Sequence, residues 1–217
     1  IVALDRNKER HPDIFRFDKG NYQAAHIELY QQGYQSQNIK VDFSSYYPSI
    51  AMALNLGPDT TKIIGYDDYT EDIEFKDGIL YVPDNKVGKR LMLNIDIDKK
   101  SCLYTMCKEF KEMRKPYKLG KTKEDKSKSN ALKIMVNTFY GANANPYVSY
   151  GDMGVGITIT AVARWLLLSA VDIIRARHGP DSVVYVHTDG INTNVDVDVD
   201  WLTKRLQMLM KHHIPFA

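Results

Sequence analysis

Two aspartates stand where the chain must turn. In Lys40-Val41-Asp42-Phe43-Ser44-Ser45-Tyr46-Tyr47-Pro48-Ser49-Ile50 an apolar segment ends in one carboxylate, followed by small residues, aromatics and a proline. Pro48 forbids simple continuation of a strand, so Asp42 reads as a strand-end acid above a tight turn. Outward-facing backbone N–H groups of such a turn suit an anion, phosphate above all. Asp189 lies in Ser182–Val195, a hairpin pattern with Asp189-Gly190 at the expected turn. It is open to two readings, a turn former or a metal ligand at a hairpin tip. Between the two acids, Lys133, Asn137 and Tyr140 fall at i, i+4 and i+7 and share one helical face. A cation, an amide and an aromatic ring together suit a triphosphate, a sugar edge and a base plane. The same three residues also fit an ordinary amphipathic surface closed by Gly141.

The three stretches resemble, in order, motifs A, B and C of the family-B DNA polymerases. Asp42, Ser45, Tyr47, Pro48 and Ser49 match D-x-x-S-L-Y-P-S, with Tyr46 in place of Leu. Lys133, Asn137, Tyr140 and Gly141 match K-x-x-x-N-S-x-Y-G, with Thr138 in place of Ser. Tyr185, Thr188 and Asp189 match Y-x-D-T-D-S, with His187 replacing the first Asp and Gly190 replacing Ser. Arg114 and Lys118 are spaced like the fingers cations that contact the incoming triphosphate in that family. Three motifs in this order are far more specific than any one.

The resemblance implies template-directed DNA synthesis, with deoxynucleotides added to a primer 3′-hydroxyl and pyrophosphate released. It makes Asp42 and Asp189 the catalytic acids and, with the Phe43 carbonyl, the ligands of two Mg²⁺ ions, for which Mn²⁺ substitutes. Nucleotide contacts are expected from Ser45, Tyr46, Tyr47, Arg114, Lys118, Lys133 and Asn137. The N–H groups of Ser45 and Tyr46 would hold outer phosphate oxygens, and Tyr47 would lie under the sugar. DNA contacts are expected from Tyr140, Gly141 and Tyr185. His187 is expected to tune the site without binding Mg²⁺, which prefers oxygen to imidazole. The implied partners are primer-template DNA and deoxynucleoside triphosphates, with no membrane.

The elements that must position these residues can be read in part. Ala51–Leu56 predicts a short helix stopped by Gly57-Pro58. Ile73–Val82 predicts a hairpin around Asp77-Gly78 in a type I′ turn. From Asp98 a helix begins, capped by Asp98 or Ser101, with Leu103, Met106, Cys107 and Phe110 as its apolar stripe. It is expected to reach about Lys115 before Pro116 disturbs it. A lysine-rich tip follows at Lys118–Lys128, then a second helix from about Lys123 to Tyr140, giving a helical hairpin. Asn143–Tyr147 reads as a turn and Ile157–Arg177 as a long core helix. Asp196, Asp198 and Asp200 read as a solvated face, with Asp200 able to cap a last helix from Trp201. The expected fold is α+β: a polymerase palm whose antiparallel sheet is covered by helices on one face, plus a two-helix fingers hairpin. The corresponding division is palm 1–97, fingers 98–140 and palm 141–217.

Bulk properties constrain the alternatives. A net charge of +2 means that any nucleic-acid surface is a local patch. Cys102 and Cys107 point in different directions on a helix, which predicts free thiols and a reducing compartment, the cytoplasm or host cytoplasm. The apolar run Val155–Val171 is interrupted by Arg164, Thr and Gly and reads as core, not as a membrane span. The chain begins at Ile1, and the aromatic motif A suggests a viral, phage or plasmid source. Exonuclease and thumb are expected in flanking regions of the same protein. The alternative from another class is a polymerase-like domain that binds nucleic acid without catalysis, which His187 favours. An RNA polymerase or reverse transcriptase fits less well, because the paired-Asp turn is absent and Tyr47 disfavours ribonucleotides.

Overall fold

The computed structural model of the protein describes residues 26–85, 87–143, 145, 147–148 and 151–217. In chain order the elements are β1 (Ile27–Leu29), β2 (Ile39–Asp42), α1 (Tyr46–Ala53), β3 (Thr61–Asp68), β4 (Glu74–Lys76), β5 (Ile79–Asp84) and β6 (Lys89–Ile95). There follow α2 (Cys102–Leu119), α3 (Lys123–Asn143), α4 (Met153–His178), β7 (Val183–His187), β8 (Gly190–Thr193) and α5 (Val199–His213). The strands make two antiparallel sheets, ordered β1-β7-β8-β2 and β3-β6-β5-β4. The α+β architecture is as expected, but the expected single sheet is joined by a second one of four strands. Its Asp77-Gly78 hairpin was legible. Its outer strand β3 was hidden by a register shift between Ile63 and Gly65, which breaks the alternation a strand would show.

Register across the first sheet decides which side chains meet. Ile27, His187, Gly190 and Asp42 form one row, and Leu29, Tyr185, Asn192 and Lys40 form another on the same face. The row between them, Glu28, Val186, Ile191 and Val41, turns to the opposite face, where Val186 and Ile191 are fully buried. Along β7, β8 and β2 one face is therefore apolar, with Val186 and Ile191 covered, and the other carries His187, Asn192, Lys40 and Asp42.

Helix α4 supplies the cover. Its apolar residues are buried almost from end to end, packed against α1, α3, α5 and strands of both sheets. It is long and apolar enough to cross a membrane, yet its apolar surface is already used inside the protein. Asp152 caps its start by accepting from the N–H groups of Gly154 and Val155, and Gly179 ends it at φ 99°.

Five local expectations change. The helix expected at 51–56 is α1, beginning at Tyr46 inside the motif A stretch. Pro48 is its third residue, where a missing N–H costs no helical bond. Helix α2, capped by Ser101 and not by Asp98, runs through Pro116 to Leu119. Its packing against α3 outweighs the proline, through Phe110 against Phe139 at 5.4 Å and Arg114 bonded to Ser129. The cap of α5 is Asp198, which accepts from Trp201 N at 3.0 Å, not Asp200. Asn143 closes α3, while Ala144 and Pro146 of the expected 143–147 turn lie outside the described residues. Finally, the β7–β8 turn is Thr188-Asp189, and Gly190 is already a strand residue paired with Asp42.

Candidate active site

Strand β2 delivers Asp42 to the sheet edge, and the turn before β8 delivers Asp189 beside it. Phe43 N donates to the Asp189 carbonyl at 2.8 Å, which locks the two acid-bearing segments together. The β7–β8 turn is unusually tight. Asp189 N donates to His187 O at 2.7 Å, an i to i+2 bond, with Thr188 at φ 60° between them. Thr188 N is held by the carbonyl of His26 at 2.9 Å. A β-branched residue in the left-handed region is costly, so neighbouring structure imposes this conformation.

After Phe43 the chain turns at Ser45 in the left-handed region, φ 51° and ψ 49°, and enters α1. Ser45 makes no side-chain cap, so no hydroxyl covers the first turn of the helix from the cleft side. Rings then run from sheet to helical hairpin. Phe43 stacks on Tyr46 at 4.4 Å, Tyr46 lies 6.0 Å from Tyr47, and Tyr47 meets Tyr140 of α3 at 4.6 Å. Within this row Tyr46 is structural in its side chain. Its hydroxyl donates to Ala163 O of α4 at 2.6 Å, and burial holds its pKa well above the usual phenol value.

These elements enclose a cleft of about 420 Å³. One wall carries Asp42, Asp189, Thr188 and the turn into α1; the other carries Arg114 and Lys118 of α2 with Lys133, Asn137 and Tyr140 of α3. All three cations named from the sequence therefore face both acids. Arg114 is steadied by donation from its Nε to the Ser129 carbonyl and hydroxyl, both at 3.1 Å. Lys111, which sequence reasoning passed over, donates to Ser49 Oγ at 3.0 Å and ties α2 to α1. Its partial burial lowers its pKa.

Two expected DNA-contact residues, Gly141 and Tyr185, and the expected tuning residue His187 are not among the described residues that line the cleft. Gly141 is exposed, with open space around its Cα, and is not among the cleft-lining residues. Tyr185 lies in the sheet row beside the cleft row and borders a hollow under the Gln31–Gln35 loop. His187 is exposed on the same sheet face as Asp42, across Gly190, with its Nδ1 3.2 Å from Thr188 Oγ1.

The donor set fits a hard cation: two carboxylates and nearby main-chain oxygens, with no soft ligand among the described residues that line the cleft. Asp42 already attracts one, since Lys40 Nζ lies 2.9 Å from its Oδ1. The i, i+2 spacing that puts both on one strand face was readable in the sequence. Among the described residues no group of three or more His, Cys, Asp and Glu side chains could hold a metal ion. Any ion here would thus take part of its shell from substrate and water. Neither cysteine offers an alternative nucleophile. Burial, helped at Cys102 by Asp59, pushes both thiols up to about 11, so they stay protonated near neutral pH.

Comparison with known proteins supplies the frame for this geometry. Residues 1–200 match the sequence model of DNA polymerase family B. A DNA polymerase of Thermococcus sp. (strain 9oN-7) is 22% identical over 202 residues, 91% of this chain and 24% of its own length. DNA polymerase 1 of Pyrococcus abyssi is 23% identical over 198 residues, 88% of this chain and 24% of its own. The structure of the family B DNA polymerase of Pyrobaculum calidifontis shares the fold, with a TM-score of 0.57 and 23% identity over 96% of this chain and 28% of that one. The chain thus spans about a quarter of the length of these relatives. With the match covering most of its residues, the chain belongs to DNA polymerase family B.

Proposed function

We propose that this chain is the palm and fingers of a DNA-directed DNA polymerase, residues 1–97 and 141–217 being palm and 98–140 fingers. The observation that carries the reading is the single cleft in which Asp42 and Asp189 face Arg114, Lys118 and Lys133. Acids that gather divalent ions and cations that neutralise a triphosphate are what phosphoryl transfer requires, since positioning and charge do most of the catalysis. Two Mg²⁺ ions, when bound, would activate the primer hydroxyl and stabilise the departing pyrophosphate. Asp42, the Phe43 carbonyl and Asp189 would hold them.

The protein's own groups do the rest. Arg114, Lys118 and Lys133 bind the triphosphate, and the N–H groups of Ser45 and Tyr46 at the start of α1 hold its outer oxygens. Asn137 orients the nucleotide. The Tyr47 ring, braced by Tyr140, lies under the sugar and leaves no room for a 2′-hydroxyl. Tyr140 also faces the base, and Gly141 and Tyr185 touch DNA beyond the cleft. Primer-template DNA and deoxynucleoside triphosphates are the partners, exonuclease and thumb regions lie in the same protein, and the enzyme works in a cytoplasm.

Primer extension by the full-length protein with Mg²⁺, on DNA and RNA templates, tests this reading. DNA-templated extension with deoxynucleotides is expected, and Tyr47→Val should raise ribonucleotide use relative to deoxyribonucleotide use. An unchanged ratio would return Tyr47 to a packing role. One observation favours a second reading, nucleic-acid binding without catalysis: His187 stands in the row where the resemblance expects an acid. Absence of extension with both Mg²⁺ and Mn²⁺ would decide for it.

A further inference from the structure

We propose that Lys40, which stands beside the cleft and not among the residues that line it, is the resident counter-ion of Asp42, holding the acid until a divalent ion arriving with the nucleotide displaces it. The inference rests on the reading of Asp42 as a metal ligand and adds a residue that controls access to it.

The geometry is specific. Lys40 and Asp42 share one face of β2, and Gly190 lies directly beside Asp42 across the strand pair. A Cβ built on Gly190 would fall 2.7 Å from Lys40 Cε, 3.5 Å from its Nζ and 3.1 Å from Asp42 Oδ1. The lysine side chain therefore passes over the bare Cα of Gly190 to place its ammonium 2.9 Å from the Asp42 carboxylate. Asp189 adds a second attractive charge from the turn. A side chain at position 190 would force the flexible Lys40 chain off this path and press on Asp42 Oδ1, so the missing Cβ favours the ion pair as it stands.

The charge balance gives the pair its consequence. The cleft offers two carboxylates, His187 stands where a third acid is expected, and Lys40 cancels one negative charge. A bare divalent ion must compete with an ammonium for Asp42. A nucleotide changes that competition, because its phosphate oxygens complete the shell that the protein leaves short. The ion pair is also easily released. Both side chains are about half exposed, 59% for Lys40 and 52% for Asp42, and exposed pairs contribute little to stability. Lys40 thus biases the order of binding without blocking the site.

The test is titration of the full-length protein with Mn²⁺, without nucleotide, reading free ion by electron paramagnetic resonance. Lys40→Gln should bind Mn²⁺ about two- to fivefold more tightly than wild type, the range set by releasing an exposed ion pair. Lys40→Arg keeps the pairing and should match wild type. Lys40→Gln combined with Asp42→Asn should lose the gain. Lys40 is exposed, so these proteins should fold, and equal melting temperatures check this. If Lys40→Gln binds no more tightly than wild type while Asp42→Asn weakens binding, the role of Lys40 is overturned and the metal site stands. If Asp42→Asn changes nothing in the Lys40→Gln background, Asp42 is not a ligand and the proposed chemistry falls with it.

Discussion

Two hairpins in this chain carry the same Asp-Gly pair and use it in different ways. In the β4–β5 hairpin Asp77 and Gly78 are the turn itself, both at positive φ, 53° and 78°, with open space where a Gly78 side chain would go. That is the low-energy type I′ solution, and it leaves Asp77 in solvent. In the β7–β8 hairpin the turn is shifted back by one residue. Thr188 takes the left-handed conformation at φ 60°, Gly190 becomes a strand residue under Lys40 and Asp42, and Asp189 is lifted into the cleft. The relaxed turn presents nothing, whereas the tight one spends conformational energy to aim a carboxylate. Strain of this kind persists where surrounding contacts over-determine the backbone, here Thr188 N bonded to His26 O and Phe43 N to Asp189 O.

The contrast can be broken in several places. The largest effect is expected at the aspartates. Asp189→Asn should lower primer extension by roughly 10³-fold or more, as loss of a metal-binding carboxylate does, while Asp77→Asn leaves it unchanged. Equal activity of both variants would make Asp189 a turn former after all. His187, beside the tight turn, should behave differently from Asp189: His187→Ala should retain measurable extension and His187→Asp should be tolerated. A folded His187→Ala as inactive as Asp189→Asn would make the imidazole essential.

The glycines should separate next. Gly78→Ala should destabilise the protein by about 1 kcal/mol in thermal melts, through its positive φ, without affecting extension. Gly190→Ala should act mainly on activity, about tenfold, because its Cβ would crowd Lys40 Cε and Asp42 Oδ1. Loss of stability without loss of rate at position 190 would show that the crowding is absorbed elsewhere. The smallest effect is expected at Thr188. Thr188→Gly removes the side-chain penalty of the left-handed conformation, against the entropy cost of glycine, and should leave stability within about 1 kcal/mol of wild type. A larger loss would mean that the Thr188 side chain, not the backbone bonds, holds the turn.

The same comparison explains how much the sequence disclosed. Lys133, Asn137 and Tyr140 were legible as one face because helical spacing is local, and the cleft contains all three. Asp77-Gly78 was legible because its turn is the relaxed one. Asp189-Gly190 gave the same local signal but a different turn, since pairing of Gly190 with Asp42 is a contact between distant parts of the chain. The second sheet was half hidden by the irregularity in β3, and α1 began early because Pro48 marks a helix start as well as a strand end. Pro116 misled in the opposite sense, since packing between α2 and α3 carries the helix past it. Lys40 could have been found from its i, i+2 spacing to Asp42, though not the gap at Gly190 through which it reaches the acid.

The central claim is that the acids of the cleft carry the chemistry and contribute little to holding DNA. Single-turnover extension of a primed DNA template by the full-length protein, wild type against Asp42→Asn, tests it most directly when DNA affinity is measured on the same samples. The chemical step should fall by roughly 10³-fold or more while the DNA dissociation constant stays within about threefold, since phosphate contacts made elsewhere dominate that affinity. An Asp42→Asn protein that extends the primer at the wild-type rate would contradict the account.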